Sequence, residues 1–180
     1  YAIQGIKTEL EYCGYSVKGF RPAAAFIGSQ ATTLIKKFQS DHGLESDGIV
    51  GPKTSRALFT TRVAANETNY DIPDLWLEKL LALESGYDPA AIGQADPRDR
   101  GMAQINSHFH PDVSDAEAFN PAFAIVWAAN YLASAYKTLK DWEAAVASYN
   151  VGVGGATEWL REGKPADSTA GKYVAYVQGM

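Results

Sequence analysis

The chain has 180 residues, 46% of them hydrophobic and 21% charged, which is typical of a folded protein with one medium domain or two small ones. Residues 1–60 carry seven Lys and Arg against five Asp and Glu, whereas the remainder carries nine against sixteen, so the formal charges are +2 and −7. The acidic main body disfavours a nucleic-acid partner, and the absence of an apolar run of ~20 residues excludes a membrane-spanning segment.

Further expectations concern disulfide bonds, processing of the chain and oligomeric state. Cys13 is the only cysteine, so an internal disulfide is excluded and the fold must be held by packing. The chain begins at Tyr1 without an initiator Met or a signal-peptide pattern, so we expect a processed or trimmed chain whose export route the sequence does not reveal. Nothing in the sequence demands an oligomer, and we expect a monomer.

The first 62 residues predict three short helices. Apolar residues recur at helical spacing from Ile3 to Cys13, and Gly14 follows as a helix stop. Ser29 is a suitable cap for a second helix that ends near Gly43. The expected buried stripe of this helix is Ala31, Leu34, Ile35, Phe38 and His42.

A turn and a third helix complete this N-terminal unit. Asp47-Gly48 predicts the turn, Ile49-Val50 an extended pair, and Gly51-Pro52 the start of a short helix. Residues 60–73 are polar and lack a sustained apolar stripe, so we predict domains at 1–62 and 72–180 joined by a linker at 63–71. A helix extending into this linker is compatible with its composition.

Longer helices are expected in the second domain. Asp71 is expected to cap a helix with Pro73 in its first turn, ending near Ser85, and a long loop follows at 86–101. Two more helices start at Asn120-Pro121 and at Asp141, the latter closing at "SYNVG" (148–152), and no strand is predicted. The ending "YVAYV" is left without an assignment. The expected stripe of the Asn120-Pro121 helix is Phe123, Val126, Trp127, Asn130, Tyr131 and Ser134, and the Trp and Phe residues of 119–142 are mostly expected in the core.

Glu84 falls on the apolar face of its predicted helix. Leu77, Leu80 and Leu81 precede it by seven, four and three positions, which places all four side chains on one side. Charged side chains are seldom buried without a partner. Burial and the negative end of the helix dipole both disfavour a carboxylate, so the pKa of Glu84 is expected to lie above the ordinary value of about 4.3. This environment suits a general acid.

Two resemblances follow from motifs along the chain. The series "ES", "GMAQI", "FNP", "YNVG" and "YVAYV", in this order, resembles the Slt-type lytic transglycosylase domain of the lysozyme-like fold over residues 72–177. The segment "FQSDHGLESDGIVGPKTSRAL" resembles the C-terminal half of a three-helix peptidoglycan-binding domain. The combination is similar to modular phage endolysins and implies a mainly α-helical, two-domain lysin that acts on the bacterial cell wall, in the periplasm or outside the cell.

The family resemblance implies a reaction and a set of residue roles. The bond cleaved would be the β-1,4 bond between N-acetylmuramic acid and N-acetylglucosamine, with Glu84 as the single acid and base, a 1,6-anhydro product, and neither metal nor cofactor. Tyr149 would hydrogen-bond Glu84, while Met102 and Gln104 would line the subsite of the acetamido group. The remaining implied contacts are Ser85 and Asn150 near the sugar and the glutamate, and Tyr131 as a sugar-binding aromatic residue. In the N-terminal domain, the matched wall-binding residues are Asp47, Gly48, Gly51 and Thr54.

Two alternatives to this function stay open on the sequence. The loop "AIGQADPRDRG" departs from the family pattern and brings Asp96 and Asp99 close in sequence to the site, so a second carboxylate would allow hydrolysis by a muramidase. A wall-binding or structural protein with an inactive lysozyme-like domain is the other alternative. His108 and His110 form a poor zinc set because no Cys or further His lies nearby.

Overall fold

The chain is mainly α-helical, as the sequence predicts. The computed structural model describes residues 3–18 and 29–179. The described helices are α1 (Ile3–Tyr12), α2 (Ser29–Asp41), α3 (Pro52–Asn69), α4 (Trp76–Ser85), α5 (Asp115–Ala118), α6 (Pro121–Leu139), α7 (Trp142–Arg161) and α8 (Thr169–Gln178). Within these described residues, the strands are β1 (Asp99–Arg100) and β2 (Ile105–Asn106), which pair antiparallel.

The chain forms two compact units. The first contains the described residues of Tyr1–Thr61 together with Ser85–Ala124, and the second contains Arg62–Glu84 together with the described residues of Ile125–Met180. None of the described helices combines the length and the apolar character needed to span a bilayer.

The small core of the N-terminal helices follows the predicted apolar spacing. Ile6 and Leu10 of α1 are buried, and Ala31, Ile35 and Phe38 of α2 are buried as expected. The prediction for the rest of the α2 stripe was wrong, because Leu34 is only half-buried and His42 is exposed. His42 directly follows the last residue of α2, and its ring stacks on Phe38, with ring centroids 4.0 Å apart.

Gln39, which the apolar pattern does not mark, organises the turn between α2 and α3. It is only 1% exposed, and its Nε2 donates to Asp47 Oδ1 at 2.7 Å, Ile49 O at 2.9 Å and Thr54 Oγ1 at 3.1 Å. Its Oε1 accepts the backbone N–H of Gly48 at 2.8 Å. Gly48 has φ 79°, and a Cβ there would lie 2.7 Å from Thr32 Cγ2, so the turn requires glycine.

The helix α3 starts at Pro52 as predicted but continues to Asn69, through most of the predicted linker at 63–71. The segment contains neither Gly nor Pro after Pro52, so nothing local stops the helix. The predicted cap of the next helix was wrong. Asp71 takes a left-handed conformation (φ 56°) at the end of α3, and α4 begins five residues later, at Trp76.

The second unit has a core rich in alanine. On α6, the buried positions are Pro121, Ala124, Ile125, Ala128, Ala129, Leu132, Ala133 and Ala135, of which Pro121 and Ala124 belong to the first unit. The side of α6 on which the sequence placed six residues is not the buried side, because Val126, Asn130 and Ser134 are exposed and Phe123, Trp127 and Tyr131 are only half-buried. The expectation that the Trp and Phe residues lie mostly in the core was therefore wrong. Trp142 is also half-buried, so these aromatic residues lie at the edge of the core. The segment "YVAYV", for which no secondary structure is predicted from the sequence, is part of the helix α8. This helix packs against α7.

Three local features differ from the sequence expectations. The strands β1 and β2 have two residues each, which is too short for a sequence pattern. The short helix α5 is capped by Ser114 and Glu117 in a reciprocal capping box. The predicted end of the third long helix at Gly152 is a kink, with φ 72° and ψ 165°, after which α7 resumes and runs to Arg161.

Candidate active site

Glu84 lies in the last turn of α4, one residue before the helix ends. Leu77, Leu80 and Leu81 are each 0% exposed, as the helical spacing predicts, and Glu84 itself is half-buried. The hydroxyl of Tyr173 on α8 donates a hydrogen bond to Glu84 Oε1. The carboxyl group therefore stands at the rim of the apolar face, held by a neutral partner.

Tyr173 was missed as a site residue. It belongs to the "YVAYV" segment that carried part of the family resemblance, but the alternation of aromatic residues and valines does not distinguish helix from strand. As a helix, α8 buries Val174 and Val177. Tyr173 lies on a different side of the same turn and is half-buried, with its hydroxyl on Glu84.

A cluster of aromatic rings surrounds Tyr149 in the same unit. The ring of Tyr131 lies edge-on to Tyr149, with centroids 5.2 Å apart, and stacks on Trp127 at 5.5 Å. Trp127 also meets Tyr149 edge-on at 6.2 Å. The Tyr131 hydroxyl donates to the Ser148 carbonyl at 2.9 Å, which fixes its ring. Half-exposed rings with one fixed edge are suited to stacking against the apolar face of a sugar.

The phenols near Glu84 are held in the neutral form. Burial raises the pKa of Tyr149 well above its ordinary value, and the negative charge of Glu84 raises it further. The same two causes, in the same order, raise the pKa of Tyr173. Neutral phenols keep their proton across the physiological pH range and remain hydrogen-bond donors. The site thus combines one carboxyl group, a phenol that donates to it and a second phenol within reach of its charge, and neither phenol ionises.

In the first unit, Ser85, Met102 and Gln104 come together around one turn. Ser85 Oγ donates to the Met102 carbonyl at 2.8 Å, and Gln104 Nε2 donates to the Gly101 carbonyl at 2.9 Å. Gln104 is half-buried and takes a left-handed conformation (φ 48°). Met102 is 0% exposed, so its side chain belongs to the interior of the turn, and it has no open surface with which to line a subsite.

The buried side chain of Arg100 stabilises this turn through hydrogen bonds to neighbouring segments. It is 7% exposed and donates from Nη1 to Asp115 Oδ1 at 2.6 Å, from Nη2 to the Val113 carbonyl at 3.0 Å, and from Nε to the Ile105 carbonyl at 3.2 Å. At Gly101, φ is 70° and a Cβ would lie 2.0 Å from the Ala118 carbonyl oxygen. The turn that carries Met102 and Gln104 is therefore tightly fixed.

Asp96 and Asp99, the candidates for a second carboxylate, both have partners within their loop. Asp96 binds Arg98 through both carboxylate oxygens, at 2.8 Å to Nε and 2.7 Å to Nη2. Asn106 Nδ2 donates to Asp99 Oδ1 at 2.6 Å and to Asp96 Oδ2 at 3.2 Å. Hydrogen bonds from Arg98 keep the pKa of Asp96 well below its usual range. Both carboxylates thus stabilise the loop.

The remaining sequence candidates are Asn150 on α7 and four residues of the N-terminal domain. Asn150 is exposed on α7, two residues before the kink. Asp47, Gly48 and Thr54 make internal hydrogen bonds to Gln39, and the Gly51 carbonyl accepts the Ser55 N–H at 2.8 Å. Among the residues that the structure describes, no group of three or more His, Cys, Asp or Glu is arranged to hold a metal ion.

Comparison with family models identifies two regions of the chain. The model of the Transglycosylase SLT domain matches residues 62–170, and a model of a peptidoglycan binding domain matches residues 2–58. A search of curated proteins found no match. The two models occur in the predicted order, and they support a peptidoglycan-degrading function of the transglycosylase type. The chain therefore belongs to the Transglycosylase SLT domain family and carries a peptidoglycan binding domain before it.

Proposed function

We propose that the protein is a lysin that cleaves the β-1,4 bond between N-acetylmuramic acid and N-acetylglucosamine without water, leaving 1,6-anhydromuramic ends. One observation carries this proposal. The Glu84 carboxyl sits at the edge of an apolar helix face with a phenol as its hydrogen-bond partner, whereas the loop carboxylates Asp96 and Asp99 are occupied by Arg98 and Asn106. Of these three carboxyl groups, Glu84 alone has a neutral phenol as partner, which suits a reaction in which one residue serves as acid and then as base.

In the proposed reaction, Glu84 donates one proton to the substrate and later accepts one proton from it. Glu84 gives its proton to the glycosidic oxygen as the bond from that oxygen to C1 of the muramic sugar breaks, and the N-acetylglucosamine end leaves as an alcohol. The N-acetyl group of the muramic sugar stabilises the positive charge at C1. The muramic C6 hydroxyl oxygen then forms the new bond to C1, and its proton returns to Glu84. The carboxyl group is regenerated and no water is consumed.

Other residues receive supporting roles in this proposal. Tyr173 and Tyr149 orient the Glu84 carboxyl and remain neutral while its charge changes. Gln104 contacts the acetamido group, Asn150 contacts the sugar, and the Tyr131 and Trp127 rings stack against the glycan. The buried Met102 and the Ser85 hydroxyl support the turn that contains Gln104.

The N-terminal domain is proposed to hold the enzyme on the wall. Asp47, Gly48, Gly51 and Thr54 form the turn built around Gln39, and this fixed turn would present the domain's contact surface to peptidoglycan. Such an arrangement corresponds to a monomeric endolysin that acts in the periplasm or outside the cell. Anchoring raises the local concentration of the catalytic domain at its insoluble substrate.

Product analysis tests the proposed chemistry. Purified peptidoglycan digested by the wild-type protein should yield glycan fragments with 1,6-anhydromuramic ends in mass spectra, and the Glu84→Gln variant should yield none. Reducing ends alone would reject the transglycosylase reaction in favour of a muramidase. Binding to intact peptidoglycan without any new ends would favour an inactive wall-binding protein.

A further inference from the structure

The helix that carries Glu84 has an unusual cap at its other end. Leu75, the residue immediately before α4, has a side chain that cannot accept a hydrogen bond. Glu67, near the end of α3, takes over this role: its Oε1 accepts the backbone N–H of Leu77 at 2.9 Å and that of Glu78 at 3.2 Å. The first turn of α4 is thus capped by a side chain from the preceding helix.

Glu67 is a costly residue to bury. It is 5% exposed, whereas a Glu side chain is almost never fully buried unless it is paired. Its compensation lies in the backbone amides at a helix N-terminus, where donors without intrahelical partners and the positive end of the helix dipole favour a negative charge. The buried carboxylate thus does more than fill space among apolar side chains, because it binds the first amides of α4.

The cap bears on the placement of α4 along its own axis. Leu77, Leu80 and Leu81 determine which face of α4 is buried, but apolar contacts are non-directional and permit small sliding movements. An isolated helix of ten residues is marginal, so its ends depend on tertiary contacts. The Glu67 cap is directional, and it fixes the first turn of a helix whose last turn, about 10 Å further along, carries Glu84.

Two contacts with α8 show that small movements of α4 would affect the site. Lys79, in the middle of α4, donates from Nζ to the Gln178 carbonyl at the end of α8 at 3.1 Å. Tyr173, on the same helix α8, donates to Glu84. A shift of α4 would therefore change the geometry between the carboxyl group and its phenol partner. Displacements of about 1 Å remote from a reacting group can cost large factors in rate.

We propose that Glu67 is a positioning residue for the glycan-cleaving reaction, which it serves by capping α4 and fixing the axial position of Glu84. This inference rests on the proposed role of Glu84. Glu67 itself touches neither substrate nor reacting atoms in this account. Its effect is expected in the rate of the chemical step and not in the affinity for glycan.

Three substitutions at Glu67 separate the hydrogen bonds from the rest of the side chain. Glu67→Gln keeps an acceptor oxygen at the same reach, Glu67→Asp keeps the charge but shortens the side chain by one methylene, and Glu67→Ala removes the acceptor. On soluble peptidoglycan fragments, kcat should fall about tenfold in Glu67→Ala and Glu67→Asp, while KM stays within about twofold. Glu67→Gln should restore most of the wild-type kcat. Circular dichroism gives the folded fraction to which each kcat is normalised.

Ile35→Val is the stability control. Ile35 of α2 is 1% exposed, and the loss of one methylene from the packed core of the N-terminal helices lowers stability. It should lower the melting temperature while leaving kcat unchanged. Wild-type kcat in both Glu67→Ala and Glu67→Asp would overturn the inference, and so would an equal loss of kcat in Glu67→Gln and Glu67→Ala.

Glu84→Gln, measured in parallel, separates this inference from the proposed function. Full activity in Glu84→Gln would refute the proposed function and the positioning role together. An inactive Glu84→Gln accompanied by unchanged kcat in the Glu67 variants would refute the positioning role alone.

Discussion

Three acidic residues, one in the second unit and two in the first, differ in their partners. In the second unit, Glu84 is half-buried beside leucines and accepts a hydrogen bond from the neutral phenol of Tyr173. In the first unit, Asp96 is bound by the charged Arg98 guanidinium and shares the Asn106 amide with Asp99. All three acids lie within sixteen positions of one another in the sequence, but the first has a neutral partner in an apolar environment and the other two hold a loop together.

The difference shows how partner type separates a reactive acid from a structural one. A carboxylate held by a guanidinium is stabilised in its charged form and resists protonation, so it is unsuited to giving a proton near neutral pH. A carboxyl group with phenol partners keeps its local environment when its charge changes, because the phenols remain neutral.

The largest effect is expected at Glu84. Glu84→Gln keeps the size and the acceptor oxygen but cannot give or take a proton, so glycan cleavage should fall by about 10²- to 10⁴-fold while binding to peptidoglycan persists. Turbidity loss of purified walls and a sedimentation assay measure the two properties. Glu158→Gln, an exposed position on α7, serves as the control and should retain wild-type activity. A fully active Glu84→Gln would remove the distinction between the two groups of acids.

A smaller effect is expected at Tyr173. Tyr173→Phe removes the hydroxyl that orients Glu84 and keeps the ring, so kcat should fall about tenfold with little change in KM. Tyr176→Phe is a matched control, because Tyr176 lies on the same helix and is 52% exposed. If both variants behave like the wild type, the phenol has no part in orienting the carboxyl group.

The pH dependence of stability should distinguish Glu67 from Asp96. Burial raises the pKa of Glu67 above its ordinary value despite hydrogen bonds from the Glu78, Leu75 and Leu77 amides, and the charge of Glu78 adds to the rise. The folded protein therefore binds this proton more tightly than the unfolded chain, and the resulting stabilisation is present at low pH and lost as the pH rises through the folded pKa.

Urea unfolding of the wild type and Glu67→Gln from about pH 4 to about pH 7 measures this effect. The free energy of unfolding of the wild type, relative to the variant, should decrease as the pH increases. An increase would mean that the amide hydrogen bonds outweigh burial.

The smallest effect on activity is expected from the loop acids. Asp96→Asn weakens the Arg98 pair and Asp99→Asn weakens the Asn106 contact, so each should affect the loop while glycan cleavage stays within about threefold of the wild type. Because the pKa of Asp96 is lowered, its contribution to stability should be lost as the pH falls, opposite to the direction for Glu67. A loss of activity as large as that of Glu84→Gln would make one of these acids a second catalyst.

Helical periodicity predicted the central feature of the candidate site. The spacing of Leu77, Leu80, Leu81 and Glu84 placed the carboxyl beside buried leucines, because a 3.6-residue repeat is a local property of the sequence. The same reasoning failed on α6, where small alanines form the buried face and the larger aromatic residues lie at its edge. The large aromatic residues were expected in the core because of their size, whereas the alanines on the other side of the helix are the buried residues.

Other features depended on contacts between distant segments. Tyr173 meets Glu84 across 89 positions, and Glu67 caps α4 from the preceding helix, so neither contact follows from local spacing. The extension of α3 through the predicted linker has a local explanation in the lack of Gly and Pro, but polar composition alone indicated a boundary. Composition describes solvent exposure better than it describes where a helix ends.

Digestion of peptidoglycan in H₂¹⁸O tests most directly whether one carboxyl group performs the whole reaction. If Glu84 directs the muramic C6 hydroxyl onto C1, mass spectra will show new 1,6-anhydromuramic ends that contain no heavy oxygen. New reducing ends labelled with ¹⁸O would mean that water is the nucleophile, and they would contradict the account of a single acid and base at Glu84.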